Sequence, residues 1–539
     1  MRQYFSRHSG PFLQLILLVI FIFTCLLRGQ YIGEISNRQH VWLTASTVKF
    51  TDIWIDEGAI HSNFLLIEEP ASINKPEIRD RQIYSSQPSG SIVPIYFLKK
   101  IFPKVSTILV IHLYSLASHF FIALSAYWIV VLLLYERTKN KLSHIFGLLA
   151  GSSYLLIPAT LYWHSIVYFT DISVILPFAL VILLEAKIRL SQSVGGTKFF
   201  LLLQSAVLFI MATIEYLAIP TAISLLFFRT ILSPRMMGAK GIRLAARNII
   251  QIFFPVMLAL SIFLIQIGRH SKLSSLYDRL ILRTGLETTG EEIFNFSGIL
   301  KLISHLDWLY GLITLFSIAY IIFMFAKNKS ILFLVPACAF TAGILQIGLL
   351  MNHSIIHSFS VLKLYYPLSI SFFGIIPGIL LIEKSNWKSN VSDRLLFKNL
   401  LPYIVILIVG LPSLNHWYKN PELSYTSTAK SIDNMFTYED ILLGFDGFSI
   451  ETNPPHYLAL SKKLVVGVNN SEDISNAVKT LPASSNLYFL YDKASLYEES
   501  KCQELRDRSF NVGLDNISAI QIQGEGSIEL FKSCHPIKK

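Results

Sequence analysis

The chain has 539 residues, of which 53% are hydrophobic and only 15% charged, with a mean hydropathy of +0.51 and a formal net charge of +11. So much apolar surface excludes an ordinary soluble globular protein and points to a polytopic membrane protein. The positive charge does not point to nucleic acid, because the Lys and Arg residues sit in short segments between apolar runs, as orientation signals do.

A span needs about twenty apolar residues. Eleven are expected, near 11–28, 105–134, 145–162, 169–186, 199–214, 216–232, 249–267, 308–326, 331–350, 361–382 and 399–417. The first is read as a retained span, because Arg28-Gly29-Gln30-Tyr31 offers no small-residue cleavage site. The apolar run 199–232 is too long for one helix and is divided at Glu215 and Tyr216, where a charge interrupts it; one long tilted helix is the alternative.

Basic residues set the expected orientation. Arg2 and Arg7 precede the first span, Arg137, Lys139 and Lys141 follow the second, Lys187, Arg189 and Lys198 the fourth, and Arg229, Arg235, Lys240, Arg243 and Arg247 the sixth. Lys327 and Lys329 follow the eighth, and Lys384, Lys388, Arg394 and Lys398 the tenth. Placing these segments on the cytoplasmic side puts the amino terminus inside and the remaining loops and carboxyl tail outside.

On that topology the unusual polar residues fall on the outer side. The first outer loop, 29–104, carries Asp52-Ile53-Trp54-Ile55-Asp56-Glu57-Gly58 and then Tyr84-Ser85-Ser86-Gln87-Pro88-Ser89-Gly90. Asp171 opens the fourth span, Glu215 lies at the apex of the fifth and sixth, and His353 and His357 follow the ninth. Carboxylates at a membrane boundary are costly unless they bind something or face water, so their common sidedness points to a site; taken singly, each could be an ordinary interfacial charge. His353 and His357, spaced i, i+4, would share a helix face and could contact a metal or a phosphate together, or serve as hydrogen-bonded structural groups.

The outer loop 268–305 is basic on the side that normally excludes positive charge. Arg269, Arg279 and Arg283 are candidates for an anionic ligand such as a lipid-linked phosphate, since guanidinium groups grip phosphate oxygens in pairs. The competing reading is an amphipathic helix resting on headgroups, with Leu273, Leu276, Leu280 and Ile281 buried in the membrane. Beyond about Asn420 the character changes. Ile441–Phe445, Leu464–Val468 and Leu487–Tyr491 read as strands and Ser471–Leu481 as a helix, so a small soluble α/β domain is expected over 418–539, after a membrane domain over 1–417. Cys502 and Cys534 could pair in an oxidising compartment, whereas Cys25 and Cys338 lie in spans.

In the order of these features, the first span, the Asp56-Glu57 pair, Tyr84 through Gly90, Pro158 to Asp171, Glu215-Tyr216 and Asn352 through His357, the chain resembles the GT-C superfamily of membrane glycosyltransferases. The likeness is to the branch of protein mannosyltransferases and bacterial lipid A aminoarabinose transferases, with Gln87-Pro88-Ser89 where related proteins often have paired prolines. The resemblance implies a GT-C-like α-helical fold and transfer of a hexosyl or pentosyl group from a polyprenyl-phosphate donor to a glycan, lipid or protein acceptor at the outer face. It gives Asp56 the role of general base or of positioning the acceptor hydroxyl, and Glu57 that of its neighbour or a metal contact, leaving open whether a divalent metal ion takes part. Asp171, Glu215, His353 and His357 would position substrate or metal. Polymerisation or ligation of lipid-linked glycans is the nearest enzymatic alternative. A transporter is disfavoured by the absence of an internal repeat and the one-sided carboxylates, and a scaffold would not need them. The compact first loop and the lack of retention signals point to a bacterial inner membrane.

Overall fold

The computed structural model describes residues 2–34, 40, 42–68, 77–138, 141–191, 193–231, 239–285, 296–328, 330–384 and 393–413, and five strands beyond them. The helices are α1 (Arg2–Leu27), α2 (Trp42–Ile53), α3 (Ile92–Ile101), α4 (Thr107–Thr138), α5 (Lys141–Leu156), α6 (Pro158–Ile166), α7 (Thr170–Ser173), α8 (Ile175–Leu190) and α9 (Val194–Ile214). They continue as α10 (Ala218–Leu226), α11 (Ala239–Gly268), α12 (Leu273–Thr284), α13 (Phe296–His305), α14 (Trp308–Asn328), α15 (Ile331–Leu349), α16 (Met351–Ile356), α17 (Leu362–Leu368), α18 (Ile376–Lys384) and α19 (Asp393–Gly410).

Seven stretches among the described residues are long and apolar enough to cross a membrane: Gly10–Leu27, Thr107–Tyr135, Val194–Ile214, Ala245–Gly268, Trp308–Lys327, Ile331–Leu349 and Ser358–Ile382. An eighth is the pair Leu142–Leu156 and Pro158–Ile166, bent by 58° where Pro158 starts a new helix and supplies no N–H to the old one. Three expected spans are shorter. The fourth is interrupted at its start, where the single turn of α7 precedes the 16 residues of α8. The sixth is the apolar helix Ala218–Arg229 and the eleventh Leu400–Gly410. The long run at 199–232 is divided at Glu215, whose extended backbone (φ −160°, ψ 157°) ends α9, so the single tilted helix does not form.

The chain folds as two compact units. The first comprises Met1–Gln30, Ser85–Val93 and Leu113–Lys419. Its lipid-exposed surface is apolar, with Phe12, Val19 and Leu26 outward on α1 and Phe254, Leu258, Ile262 and Ile265 on α11, as spans without an aqueous surface require. Inside, small residues let helices approach closely. A Cβ on Gly374 would lie 2.4 Å from Val130 Cγ2, and one on Gly378 2.7 Å from Leu134 Cδ1.

The second unit comprises Tyr31–Tyr84, Pro94–His112 and Asn420–Lys539. Its first part turns at Trp54–Gly58, a single π-helical turn, with Gly58 at φ +93° supplying the left-handed residue that reverses the chain. Trp54 is fully buried, donates Nε1–H to the Leu65 carbonyl at 2.8 Å, and meets Phe64 and Tyr96 edge to face. The strands β1 (Ile441–Gly444), β2 (Leu464–Gly467), β3 (Leu487–Asp492), β4 (Ile517–Ile522) and β5 (Ile528–Ser533) form one mixed sheet in the order β2-β1-β3-β5-β4. β1 runs parallel to β2 and β3, with Ile441 beside Leu464 and Leu487, while β5 lies antiparallel to β3 and β4. The first three strands occupy the expected apolar runs. The helix expected at 471–481 and the cysteines Cys502 and Cys534 lie outside the described residues.

Candidate functional site

In the first unit, the helix breaks described above bring charges together. Asp171 on α7, Glu215 between α9 and α10, and Lys363 on α17 are all buried. Lys363 Nζ donates to Asp171 Oδ1 at 2.9 Å and lies 3.7 Å from Glu215 Oε1, so one ammonium bridges two carboxylates. Gln346, near the end of α15, donates its amide to Glu215 Oε1 at 2.6 Å, and the Leu217 N–H donates to Oε2 at 3.1 Å. His353 Nε2 lies 3.9 Å from Asp171 Oδ2. Carboxylates buried this way persist because every charge has an opposite or a hydrogen-bond donor beside it.

Environment separates the two acids, both of which stand outside the candidate spans. Burial acts to raise Asp171, but the Lys363 ammonium and His353 overcome it and hold the carboxyl below its ordinary range. Glu215 is pushed up to about 7 by burial, against the pull of Lys363 and with Asp171 adding to the rise. Burial keeps the His353 imidazole below its ordinary value despite the Asp171 carboxylate. His357 follows α16 and is not within it, yet the two imidazoles meet with centroids 4.6 Å apart, and His357 stacks on Phe359 at 5.1 Å.

Residues 85–91 form a buried strap beside this network. Tyr216 OH and Arg283 Nη1 both donate to the Ser86 carbonyl at 3.2 Å, Ser85 Oγ donates to Ser275 Oγ at 3.1 Å, and Tyr168 OH donates to the Ser91 carbonyl at 2.8 Å. Gly90 donates its N–H to the Thr213 carbonyl at 2.7 Å, and a Cβ there would lie 2.4 Å from that same oxygen, so only glycine fits. The three candidate arginines therefore part company: Arg283 reaches the strap, while Arg269 and Arg279 are exposed.

In the second unit, Asp56 and Glu57 sit on the π-helical turn. Glu57 Oε2 accepts from Arg81 Nη1 at 2.6 Å, and Arg81 is buried. Asp56 is exposed. One turn earlier, Asp52 Oδ1 accepts from Thr107 Oγ1 at 2.6 Å. No three His, Cys, Asp or Glu side chains converge around a metal position among the described residues, and Glu57 is held by Arg81.

The structure brings Asp171, Glu215 and His353 together around Lys363. Lys363, Gln346 and Arg81 were not anticipated. A lone lysine inside Val361-Leu362-Lys363-Leu364-Tyr365 is itself a signal, since ionisable groups in spans are rare and functional. Arg81, in a polar loop, carried none. A second buried network was also missed: Glu185 on α8 binds Arg229 in two-pronged fashion and Arg189 Nε at 2.6 Å, with Gln204 donating to its Oε2 at 3.3 Å.

No protein-family model matches the chain, and no curated protein matches it in sequence. Solved structures do match in fold. ArnT from Cupriavidus metallidurans bound to undecaprenyl phosphate superposes with a TM-score of 0.56 at 9% identity, over 98% of both chains. The oligosaccharyltransferase AglB from Archaeoglobus fulgidus, in complex with an inhibitory peptide and a dolichol-phosphate, gives a TM-score of 0.53 at 10% identity over 89% of this chain and 69% of that one. An oligosaccharyltransferase from Archaeoglobus fulgidus in complex with Zn and sulfate gives 0.53 at 9% identity, over 88% and 68%. The GT-C-like fold expected from the sequence resemblance is borne out.

Proposed function

We propose that the chain is an integral membrane glycosyltransferase that moves a sugar from a polyprenyl-phosphate donor to a glycan, lipid or protein acceptor at the outer face of a bacterial inner membrane. The fold it shares with ArnT bound to undecaprenyl phosphate and with AglB holding a dolichol-phosphate supports this class of chemistry. The observation that carries the assignment of roles is the Trp54–Gly58 turn, in which Glu57 is anchored by buried Arg81 while Asp56 is exposed. One carboxylate is tied to a buried arginine and the other is solvent-accessible.

In this reading Asp56 accepts the proton of the acceptor hydroxyl as its oxygen attacks the anomeric carbon. The bond from that carbon to the phosphate oxygen breaks, the configuration inverts, and polyprenyl phosphate departs with the bonding electrons. A cation would stabilise the charge that grows on that phosphate as the bond breaks. Within the first unit, Arg283 acts electrostatically on Glu215 and His353, which meet Asp171 and Lys363 in the buried network.

The test is Asp56→Asn, which keeps shape and removes the base. Turnover should fall about a hundredfold to ten thousandfold, with protein level and donor binding unchanged. Retained activity would reduce Asp56 to a cap on its turn, a role Asn fills equally well. Mass spectrometry of envelope glycans from cells with and without the protein identifies the sugar and acceptor; identical profiles would oppose the assignment.

A further inference from the structure

The helix α12 turns large apolar side chains outward. None of its residues is buried. Leu273, Tyr277 and Leu280, at the i, i+4, i+7 spacing of one helix face, are 48%, 63% and 40% exposed. Hydrogen bonds tie α12 to the rest of the unit: Ser275 Oγ accepts from Ser85, Arg283 donates to the Ser86 carbonyl, and the Leu282 carbonyl accepts from Asn352 Nδ2 at 2.7 Å. An apolar face turned outward is stable only where the outside is not water.

What lies outside follows from the helix before it. The exposed apolar stripe of α11, formed by Phe254, Leu258, Ile262 and Ile265, runs to the end of a candidate span at Gly268. A tight turn follows, closed by Ser271 N–H to the Gly268 carbonyl and Lys272 N–H to the Ile267 carbonyl, with Ser271 at φ 55°. It returns Leu273 to the end of α11, so that a Cβ on Gly268 would sit 3.5 Å from Leu273 Cδ1. The exposed apolar stripe of α11 thus ends beside Leu273, the first residue of α12. Around it Arg269 and Arg279 are exposed and Lys272 half-buried, with Asp278 as the one acidic residue of the helix. Burial, Lys272 and Arg269 together keep the His270 imidazole below its ordinary value, so the charge of this turn at neutral pH rests on Arg269 and Lys272.

We propose that α12 is an interfacial membrane helix: its Leu273, Tyr277 and Leu280 face lies among the acyl chains of an anionic phospholipid leaflet, and Arg269, Lys272 and Arg279 take headgroup phosphates. By lying there the helix holds Arg283 against the Ser86 carbonyl, so the bilayer itself braces the strap. The inference does not depend on the chain being a transferase.

The experiment uses the full chain in nanodiscs of mixed phosphatidylcholine and phosphatidylglycerol, with a benzophenone amino acid in place of Tyr277 or, as a span control, Leu258. On irradiation both positions should yield phospholipid adducts by mass spectrometry. Lipid adducts at Leu258 but none at Tyr277 would overturn the placement. Phosphatidylglycerol should be enriched in the Tyr277 adducts relative to the bulk lipid, and Arg279→Gln should reduce that enrichment by about fivefold. Adducts in the bulk ratio with all three cations present would overturn the headgroup assignment. Finally, Tyr277→Asp should raise hydrogen exchange across residues 85–91, whereas exchange unchanged in a variant that has lost its lipid contact would overturn the bracing of the strap.

Discussion

Lys363 is the residue on which the buried site balances. With its ammonium between Asp171 and Glu215, its removal leaves two buried carboxylates without their shared cation, and breaking a buried pair of this kind costs about 3–5 kcal/mol. Lys363→Met should lower the thermal midpoint in detergent accordingly, and Asp171→Asn in the same chain should restore part of the loss. Equal loss in the single and double variants would show that the three groups are not coupled. Glu215 supplies the pH dependence. Its pKa rises from 4.5 to about 7 on folding, so the folded state binds the proton more tightly than the unfolded one. The stability this contributes is fully present below pH 4.5 and is lost as pH rises through about 7. Unfolding curves of the wild type and Glu215→Gln, whose amide does not titrate, should therefore diverge across that window. Parallel curves would place Glu215 at an ordinary pKa.

At the scale of elements, the breaks in helices matter more than the helices. Each interruption of an apolar run, at Pro158, at Asp171 and at Glu215, turns a span into two pieces and leaves backbone and side-chain groups facing inward. The strap at residues 85–91 fills part of that interior, and its contact with α9 depends on Gly90. A methyl group there would meet the Thr213 carbonyl, which is backbone and cannot swing aside. Overpacking of this kind costs about 1–3 kcal/mol. Gly90→Ala should lower stability by that order and speed hydrogen exchange at the neighbouring Ser86–Ser91 amides; wild-type stability would mean the strap is not seated on α9.

For the whole molecule, the Lys and Arg pattern predicts that a reporter appended after Lys539 is extracytoplasmic, and a cytoplasmic signal would reverse the sidedness of every candidate residue. The membrane class and the positions of the long helices were legible in the sequence because each needs only a local property: twenty apolar residues, a proline, a charge within a run. The carboxylates Asp171 and Glu215 were legible for the same reason, since a charge in an apolar run must be accounted for where it stands. The partner of each charge was not. Lys363 lies 192 residues from Asp171 and Gln346 lies 131 from Glu215, separations no periodicity reports, and Arg81 does not differ in sequence from any other loop arginine until Glu57 is found beside it. The basic segment of α12 was ambiguous as a string, consistent with a phosphate site or a surface helix. It was the fold that divided it, turning Arg283 toward Ser86 and leaving Leu273, Tyr277 and Leu280 exposed. Local sequence determined which residues had to be paired or covered, because burial and chain geometry act on each run by itself; which groups pair and cover them depended on distant segments packing together.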